Sequence, residues 1–516
     1  MADGGTYATA LHELSRLDTF LAADPSSYVR VVCPSQEFDN DEMAQGLGRW
    51  YSCVRGLWES LSLAAEPKLA LIMLQAPPVD NEVMRYLFDI LESGRNISLG
   101  GGVRHALVNI GDNRDCHLSE KVLQKPALLE NIHSLLMKAR RRGQTVQGLA
   151  GFASSDRMAK LAAVLELDLL ETPPKTLRWG TKAGSRQIFR QTGIRHPTGS
   201  YAPERTTERL AEVILLLARR RGPGQWLVKL NDGFGSGHGH AVVDVATSHL
   251  NDIDLLLRSN LRPVCPDISR DSFLAQISMR GAVVEEFLKP VLNGEMSNPS
   301  AVGYLAKRAG SDADVQILGT HDQLIGRYHD FIGCSFPARS SYREELLWNT
   351  QRILEQLARV GVSGHVGIDF VARSGPNGLG PWTLDATEIN LRQTGSTTPN
   401  RTARAIVEGT WLADGSLVDG VGKEVVYTGT DGLISPHYRG IPARRLVAAL
   451  RREPALSYDP ARARGAVPHL WTTLEPFGKI GATFIGRSPT DCAEVQREFI
   501  SLLDQLAGYP ATSGGA

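Results

Sequence analysis

The chain has 516 residues, of which 42% are hydrophobic and 22% charged, and its formal net charge is zero. These values are typical of a globular protein with several domains, and they lack the basic excess that is usual in nucleic-acid-binding proteins. The six cysteines form no CxxC pair, so we expect neither a disulfide framework nor a zinc ribbon. Without a signal-like segment or an apolar run of membrane-spanning length, we expect a cytoplasmic protein with no membrane or nucleic-acid partner.

The first 175 residues alternate short apolar runs with segments of helical spacing. The apolar runs are 29–33, 69–74 and 106–110, and the helical segments include 81–92 and 128–140. Strands that alternate with helices favour an open α/β layer. Three consecutive glycines at 100–102 lack the strand–turn–helix context of a dinucleotide-binding motif, so we interpret them as a loop.

From residue 176 the pattern changes to an α+β arrangement. Helical segments at 182–191, 207–221 and 341–360 are mixed with strand-like runs at 226–230, 240–245, 283–288, 365–371 and 382–389. A smaller region follows and ends in a predicted helix at 491–506. We therefore predict an N-terminal α/β domain (1–175), an α+β core (176–420) and a small C-terminal α+β domain with a frayed tail (421–516).

The stretch 226–239 places four alternating glycines after a strand that bears Lys229. A Walker loop is excluded because no Lys-Ser or Lys-Thr pair follows the last glycine, and a Rossmann turn because a strand-like run follows instead of a helix. A nucleophile elbow is excluded because Phe234 and His238 stand where glycines are required. Two interpretations remain, a flexible hairpin flap that cradles phosphates and an ordinary glycine-rich hairpin. His238 and His240 share a strand face and could chelate a metal, but no third ligand lies nearby.

Acidic and amide side chains mark a second pair of strands. Asp369 lies on the first strand, and Glu388, Asn390 and Arg392 alternate along the second. Antiparallel pairing should bring Asp369 opposite Glu388, and the odd spacing of Asp385 predicts that it faces the other side. Magnesium prefers such oxygen ligands, and the arginine fork suits a phosphoryl or carboxylate group. The alternative is a solvated strand face with a salt bridge, whereas bound nucleoside triphosphate and magnesium would explain both this cluster and the flap.

Residues 182–404 resemble the ATP-grasp superfamily. The resemblance implies two α+β subdomains that clasp ATP, after an N-terminal α/β pre-ATP-grasp domain and before a small C-terminal α+β region. It implies an ATP-binding set consisting of Lys182, Lys229, the flap residues Gly235, Ser236 and Gly237, the adenine-strand residues Glu285, Glu286, Phe287 and Leu288, and Glu295 at the ribose. It implies Asp369, Glu388 and Asn390 as Mg²⁺ ligands, and Arg392 and Lys229 as catalytic residues.

Five further segments resemble one branch of this superfamily, the pheganomycin peptide ligase and its relatives. They are 118–123, 333–337, 430–433, 467–471 and 478–481. The resemblance implies an ADP-forming ligase that activates a nonproteinogenic amino acid, for example a guanidino-bearing one, as an acyl-phosphate and couples it to a peptide N-terminus in antibiotic biosynthesis. A ligase that makes dipeptides or modifies another small amino acid, and a non-catalytic ATP-binding regulatory protein, remain as alternatives.

Three points stay open in the sequence. Residues 395–398 either hold a substrate carboxylate through backbone N–H groups or cap a helix. A homodimer is only the default expectation among oligomers. The sequence indicates no general base.

Overall fold

The computed structural model describes residues 4–37, 66–99, 103–232, 238–246, 260–306, 314–327, 330–378 and 380–508, together with Leu63 and Leu257. The chain divides into two compact units. Unit 1 comprises Met1–Pro174, Gly333–Pro337 and Arg392–Ala516, and unit 2 comprises Lys175–Ile332 and Ala338–Leu391. Unit 1 therefore combines the two ends of the chain, while the three-domain division made from the sequence stays a prediction.

The described elements are numbered here in chain order. The helices are α1 (Gly4–Ala23), α2 (Asn81–Arg95), α3 (Leu118–Leu123), α4 (Pro126–Arg141), α5 (Asp156–Val164), α6 (Lys182–Thr192), α7 (Thr207–Arg221), α8 (Arg270–Arg280), α9 (Ser340–Arg359), α10 (Thr397–Ile406), α11 (Ala443–Arg452), α12 (Trp471–Phe477) and α13 (Pro489–Leu506). The strands are β1 (Tyr28–Cys33), β2 (Leu69–Gln75), β3 (His105–Asn109), β4 (Val146–Gly151), β5 (Gly224–Leu230), β6 (His240–Val245), β7 (Leu261–Pro263), β8 (Ala282–Glu286), β9 (Met296–Ala306), β10 (Asp314–Ile325), β11 (Phe331–Phe336), β12 (Gly364–Arg373), β13 (Thr383–Asn390), β14 (Gly409–Trp411), β15 (Leu417–Asp419), β16 (Val426–Ile434), β17 (Gly465–His469) and β18 (Lys479–Gly486).

The N-terminal part of unit 1 is a parallel sheet of order β3-β2-β1-β4. Every residue of β2 is buried, as expected for a parallel strand covered on both faces. Leu69, Leu71 and Met73 face a cluster that includes α2 and the C-terminal residues, whereas the alternate residues face α1, α4 and α5. The strand–helix alternation predicted for residues 1–175 is therefore confirmed, although the glycines at 100–102 lie outside the described residues.

The C-terminal part of unit 1 contains the antiparallel strands β11, β16, β18 and β17, which pair in that order. Helices α10 to α13 pack in the same buried cluster as α2, so the N-terminal and C-terminal segments share one hydrophobic core. Within that core, a close approach of α2 to α10 depends on Gly94, because a Cβ there would meet the Ile406 carbonyl.

Unit 2 contains two layers of antiparallel strands with helices. One layer orders its strands β7-β6-β5-β8 and packs against α7 and α8. In the other layer β13, β12, β9 and β10 pair in that order, and their apolar face packs against α6 and α9. The predicted antiparallel pairing of the strands that flank the flap is confirmed, because Lys229 lies opposite His240. The strand predicted at 283–288 ends at Glu286.

None of the described helices is long and apolar enough to cross a membrane.

We predict that acidification weakens unit 1 through His105. Burial, together with the nearby Arg16 charge, lowers the pKa of this imidazole to about 3. The unfolded chain, with a histidine pKa of about 6.5, therefore takes up the proton first, and stability should fall as the pH drops below that value. The loss from this group should be about 2 kcal/mol between pH 7 and pH 5. Denaturant midpoints at both pH values should show a smaller loss in His105→Gln, and an unchanged loss would contradict the assignment.

Candidate active site

Lys182 is the first residue of α6, where a cation is unfavourable because the helix dipole is positive at this end. Thr181 caps the helix by accepting a hydrogen bond from the Gly184 N–H at 3.0 Å. The Lys182 side chain is only 4% exposed, and its ammonium group pairs with the Glu388 carboxylate. This carboxylate offsets both the burial of the lysine and its position at the helix start.

Asn231 connects the two lysines that the sequence singled out. It accepts from the Lys182 N–H at 2.8 Å through its carbonyl and from the Ala183 N–H at 3.0 Å through Oδ1. Asn231 follows the last residue of β5, the strand that carries Lys229. The side chain and the backbone carbonyl of Asn231 therefore hold the start of α6 against the end of β5.

Lys229 belongs to a buried cluster of three charges. Its ammonium group pairs with one oxygen of Glu285, and Arg186 contacts the other oxygen at 3.1 Å. All three side chains are no more than 6% exposed. Arg186 also donates to the carbonyl oxygens of Ser200 and Pro197, at 2.6 and 2.7 Å. The cluster carries one net positive charge, which suits a site for an anion.

Asp369, Glu388 and Asn390 lie together on β12 and β13. The predicted register is confirmed, because Asp369 lies opposite Glu388. Asn390 Nδ2 donates to one oxygen of Asp369 at 2.9 Å, and Gln323 Nε2 donates to the other at 2.5 Å. The set therefore offers two carboxylates and one amide, which are oxygen donors of the kind that Mg²⁺ prefers.

A β-bulge changes the orientation predicted for Asp385. The register shifts after Asp369, so Phe370 pairs with Ala386 and Val371 pairs with Asp385. Since Asp369 and Val371 share a face of β12, Asp385 lies on the same face as Glu388. The prediction that Asp385 faces the other side of the sheet is wrong, because a strict two-residue alternation along β13 does not account for the extra residue of the bulge. Its carboxylate pairs with Arg195 and Arg373, each at 2.9 Å.

Three polar residues on this face were missed by the sequence reasoning. Ser300 of β9 lies opposite Asp369, His321 of β10 lies opposite Ser300, and Gln323 reaches Asp369. The Ser300 hydroxyl is buried and makes no hydrogen bond within the described part of the chain. Alternating polar residues at 298 and 300 and at 321 and 323 were the available signal, but β9 and β10 were not recognised as strands.

The remaining predicted nucleotide ligands occupy varied environments. Glu286 is exposed, and its N–H donates to the Thr198 carbonyl at 2.7 Å. Phe287 and Leu288 follow the end of β8 and are half-buried. Glu295 is exposed and pairs with Arg339 at 2.6 Å. Gly235, Ser236 and Gly237 lie outside the described residues, and the ligand roles of this set stay predictions.

Arg392 belongs to unit 1, two residues after Asn390 in the sequence. The next residue, Gln393, donates to the carbonyl oxygens of Gly151 and Phe152, at 3.1 and 3.0 Å. The Arg392 segment is therefore attached to the carboxyl end of β4. In a parallel sheet this is the edge at which ligands commonly bind.

A metal at the Asp369 cluster would need oxygen ligands from a substrate or from water. Within the ranges that the structure describes, no group of three or more His, Cys, Asp and Glu residues could hold a metal ion. The two-histidine metal site considered for His238 and His240 therefore has no third His, Cys, Asp or Glu ligand within the described residues. The mixed set of two carboxylates and an amide fits Mg²⁺, which usually keeps water and phosphate oxygens in its coordination sphere.

Comparisons with known proteins agree with this architecture. No protein-family model matches the chain. L-propargylglycine–L-glutamate ligase from Streptantibioticus cattleyicolor is 27% identical over 98% of this chain and 99% of its own length. The biotin carboxylase domain of Hydrogenobacter thermophilus 2-oxoglutarate carboxylase, solved as a dimer with MgADP, ADP and bicarbonate, superposes with a TM-score of 0.50 at 13% identity, covering 94% of this chain and 96% of that domain.

The chain has the ATP-grasp fold. The superposition supports the fold alone, while the full-length similarity to a ligase supports the class of reaction. The ATP-grasp fold that the sequence resemblance implied is confirmed.

We predict that Glu285 stabilises this ATP-grasp unit by balancing two buried cations. In Glu285→Ala, Lys229 and Arg186 would remain buried without their carboxylate, so the free energy of unfolding should fall by about 3–5 kcal/mol. Chemical denaturation would measure the loss. The adjacent, exposed Glu286→Ala is the matched control and should change stability by less than about 0.5 kcal/mol. Equal effects of the two substitutions would show that the buried cluster contributes nothing.

Proposed function

We propose that this protein is a ligase that uses ATP to join the carboxylate of one amino acid to the amine of a second amino acid or of a peptide. The observation that carries the proposal is the contact of Lys182 with Glu388, beside Asp369 and Asn390. The contact supports the proposal, because it brings a cation that could bind phosphate next to oxygen donors suited to magnesium.

The charges of unit 2 suit a polyanionic nucleotide. Lys182 and Lys229 are each held by a carboxylate, so each ammonium group is positioned before an anion arrives. Preorganised cations stabilise negative charge that develops during phosphoryl transfer more effectively than mobile ones. Mg²⁺ held by Asp369, Glu388 and Asn390 would supply neutralisation of phosphate charge.

The reaction proceeds in two steps. A carboxylate oxygen of the acid attacks the γ-phosphorus of ATP, which forms an acyl-phosphate and releases ADP. The amine then attacks the acyl carbon, and phosphate leaves. In the first step Lys182 and Lys229 offset the charge on the transferring group, and no covalent enzyme intermediate is required. The catalytic role of Arg392 stays a prediction from the sequence. The flap around residues 233–239 is proposed to exclude water, which would hydrolyse the acyl-phosphate.

The substrates are the finer part of the proposal. The resemblance to the pheganomycin peptide ligase favours a nonproteinogenic acid, for example a guanidino amino acid, and the N-terminus of a peptide, within natural-product biosynthesis. A second candidate is the joining of two free amino acids, because the relative from Streptantibioticus is named for propargylglycine and glutamate. A cytoplasmic homodimer is part of the same proposal.

We predict that Lys229→Ala weakens ATP binding by about tenfold or more, because one preorganised phosphate contact worth at least about 1.4 kcal/mol is lost. Isothermal titration with a non-hydrolysable ATP analogue would measure the affinity. Lys175→Ala removes an exposed lysine from the same unit and should leave the affinity unchanged. Equal affinities of Lys229→Ala and the wild type would remove Lys229 from the nucleotide site.

We predict that ADP release requires both a carboxylate and an amine. Amino acids, including guanidino amino acids, would be screened as acids against free amino acids and short peptides as amines, with products identified by mass spectrometry. Glu388→Gln, assayed below its thermal transition, should lower turnover by about 100-fold or more, because one charged oxygen donor is lost. The transition itself should fall, because buried Lys182 loses its carboxylate. Amine-independent ADP formation without an amide product would contradict the ligase assignment, and near-normal turnover of Glu388→Gln would contradict the metal assignment.

A further inference from the structure

Two side chains of unit 2 that the family resemblance did not indicate lie on the same sheet face as the proposed metal ligands. Strand β9 pairs with β10 on one side and with β12 on the other. Ser300 of β9 lies directly opposite Asp369 of β12, so both project from the same face. His321 of β10 lies opposite Ser300, and Gln323 follows His321 by two positions. Gln323 therefore shares this face as well.

The Gln323 side chain reaches Asp369 across an intervening strand. Its Nε2 donates to Asp369 Oδ1 at 2.5 Å, although β9 separates β10 from β12. Two strand spacings amount to about 9.5 Å, so the side chain must extend over β9, and an amide one methylene shorter would fall short. Gln323 lies opposite Asn298, so its path crosses β9 between Asn298 and Ser300.

Two neutral amides fix the carboxylate of Asp369. Gln323 donates to Oδ1 at 2.5 Å, and Asn390 Nδ2 donates to Oδ2 at 2.9 Å. An ionised carboxylate only accepts, so the nitrogen end of each amide faces Asp369, and the carbonyl oxygen of Asn390 can face a cation. Neutral donors orient a carboxylate without adding a positive charge that would repel a metal ion.

Strand β10 is anchored from the opposite face of the sheet at the residue before Gln323. Tyr342 of α9 donates its hydroxyl hydrogen to Asp322 Oδ1 at 2.5 Å, and the Arg339 N–H donates to Oδ2 at 3.0 Å. Adjacent residues of a strand project from opposite faces, so the Asp322 contacts do not involve the Gln323 side chain. Contacts from the start of α9 thus fix the strand position from which Gln323 reaches Asp369.

The hydrogen bond from Gln323 to Asp369 is not needed to hold the strands together. Backbone pairing joins β9 to β10 from Asn298 to Ala306, and it joins β9 to β12 from Met296 to Leu305. One side-chain hydrogen bond over β9 adds little to these extended ladders. Its specific effect is on the orientation of one carboxylate.

The Ser300 hydroxyl indicates a polar group that the described part of the protein does not supply. The residue is only 2% exposed, and its hydroxyl makes no hydrogen bond to any residue that the structure describes. Buried hydroxyl groups normally have a partner, because an unsatisfied one costs stability. Since Ser300 lies opposite Asp369, a water molecule on an ion held by that carboxylate would be a suitable partner. Mg²⁺ usually keeps several such waters.

We propose that Gln323 and Ser300 complete the magnesium site from β10 and β9. Gln323 is a positioning residue that holds Asp369 in its binding orientation, and the Ser300 hydroxyl accepts a hydrogen bond from a water molecule on the ion. The inference rests on the proposed ATP-dependent function and deepens its metal site. Groups that hydrogen-bond to metal ligands typically contribute about 10- to 100-fold to metal affinity.

Two substitutions of Gln323 separate its reach from its hydrogen bond. Gln323→Asn keeps the amide but is one methylene shorter, whereas Gln323→Met keeps the length but cannot donate. We predict that both raise the Kd of Mn²⁺, an EPR-visible substitute for Mg²⁺ measured with ADP present, by about tenfold or more. The affinity for ADP in EDTA should change by less than about twofold, because no contact to a phosphate is removed.

Gln316→Asn is the matched control. Gln316 lies on the same strand, is exposed, and its amide donates to Asp314 at 3.3 Å. The same shortening at this position should change the Kd of Mn²⁺ by less than about twofold. Excess Mg²⁺ should restore the turnover of the Gln323 variants, since their defect lies in the occupancy of the metal site. A general loosening of the fold would not respond to the ion concentration in this way.

Ser300→Ala tests the water contact independently. Loss of one ordinary hydrogen bond should raise the Kd of Mn²⁺ by about fivefold. The thermal transition of the metal-free protein should be unchanged or higher, because the hydroxyl has no hydrogen-bond partner among the described residues. A merely structural role of Ser300 would lower the thermal transition and leave the metal affinity unchanged.

Each outcome of these measurements decides one assignment. Mn²⁺ binding at wild-type affinity by both Gln323 variants, or an equal loss in Gln316→Asn, would overturn the positioning role. Wild-type affinity in Ser300→Ala would overturn the water contact. A thermal melt identifies a variant that fails to fold, and the other Gln323 variant then provides the test. Absence of Mn²⁺ binding by the wild type with ADP would instead contradict the metal site of the proposed function itself.

Discussion

Charge pairing in unit 2 is the constraint on which the site depends. The two lysines that we propose bind phosphate are buried, and an isolated ammonium group is too costly to bury without an anion. Glu388 supplies that anion for Lys182, and Glu285 supplies it for Lys229. Each carboxylate therefore has a structural role in the folded chain, whether or not it also contacts a ligand.

The same pairing connects the fold to the chemistry. Glu388 lies on β13 with Asn390 and opposite Asp369, the other two proposed metal ligands, while its partner Lys182 begins α6. Asn231 joins that helix start to the end of the strand that bears Lys229. Nucleotide phosphates and a magnesium ion would compete for these groups, because they offer the lysines a new anion and the carboxylates a new cation. Ligand binding would thus exchange partners among groups that are already in position.

Unit 1 contributes a different kind of organisation. Its N-terminal parallel sheet and its C-terminal antiparallel strands share a buried core, so the two ends of the chain form one unit. The carboxyl end of β4 is attached to Gln393, next to Arg392.

The sequence by itself determined the local features. Alternation of apolar runs with helical spacing predicted the N-terminal layer, and period-two spacing predicted that Asp369 lies opposite Glu388. Such patterns are visible because they depend on the geometry of one strand or helix. The resemblance of residues 182–404 also led to the ATP-grasp fold.

Only the tertiary structure decided the features that require distant segments to meet. The bulge that turns Asp385 onto the Glu388 face is an extra residue in one strand, and its presence depends on the register with the partner strand. The sequence carries no signal for the contacts of Glu285 with Lys229 and Arg186, or for the contact of His469 with Asp431. The partners in these contacts lie 38 to 99 residues apart or belong to different strands. A pattern along the chain reports which side of an element is buried, whereas packing between elements selects which charges meet.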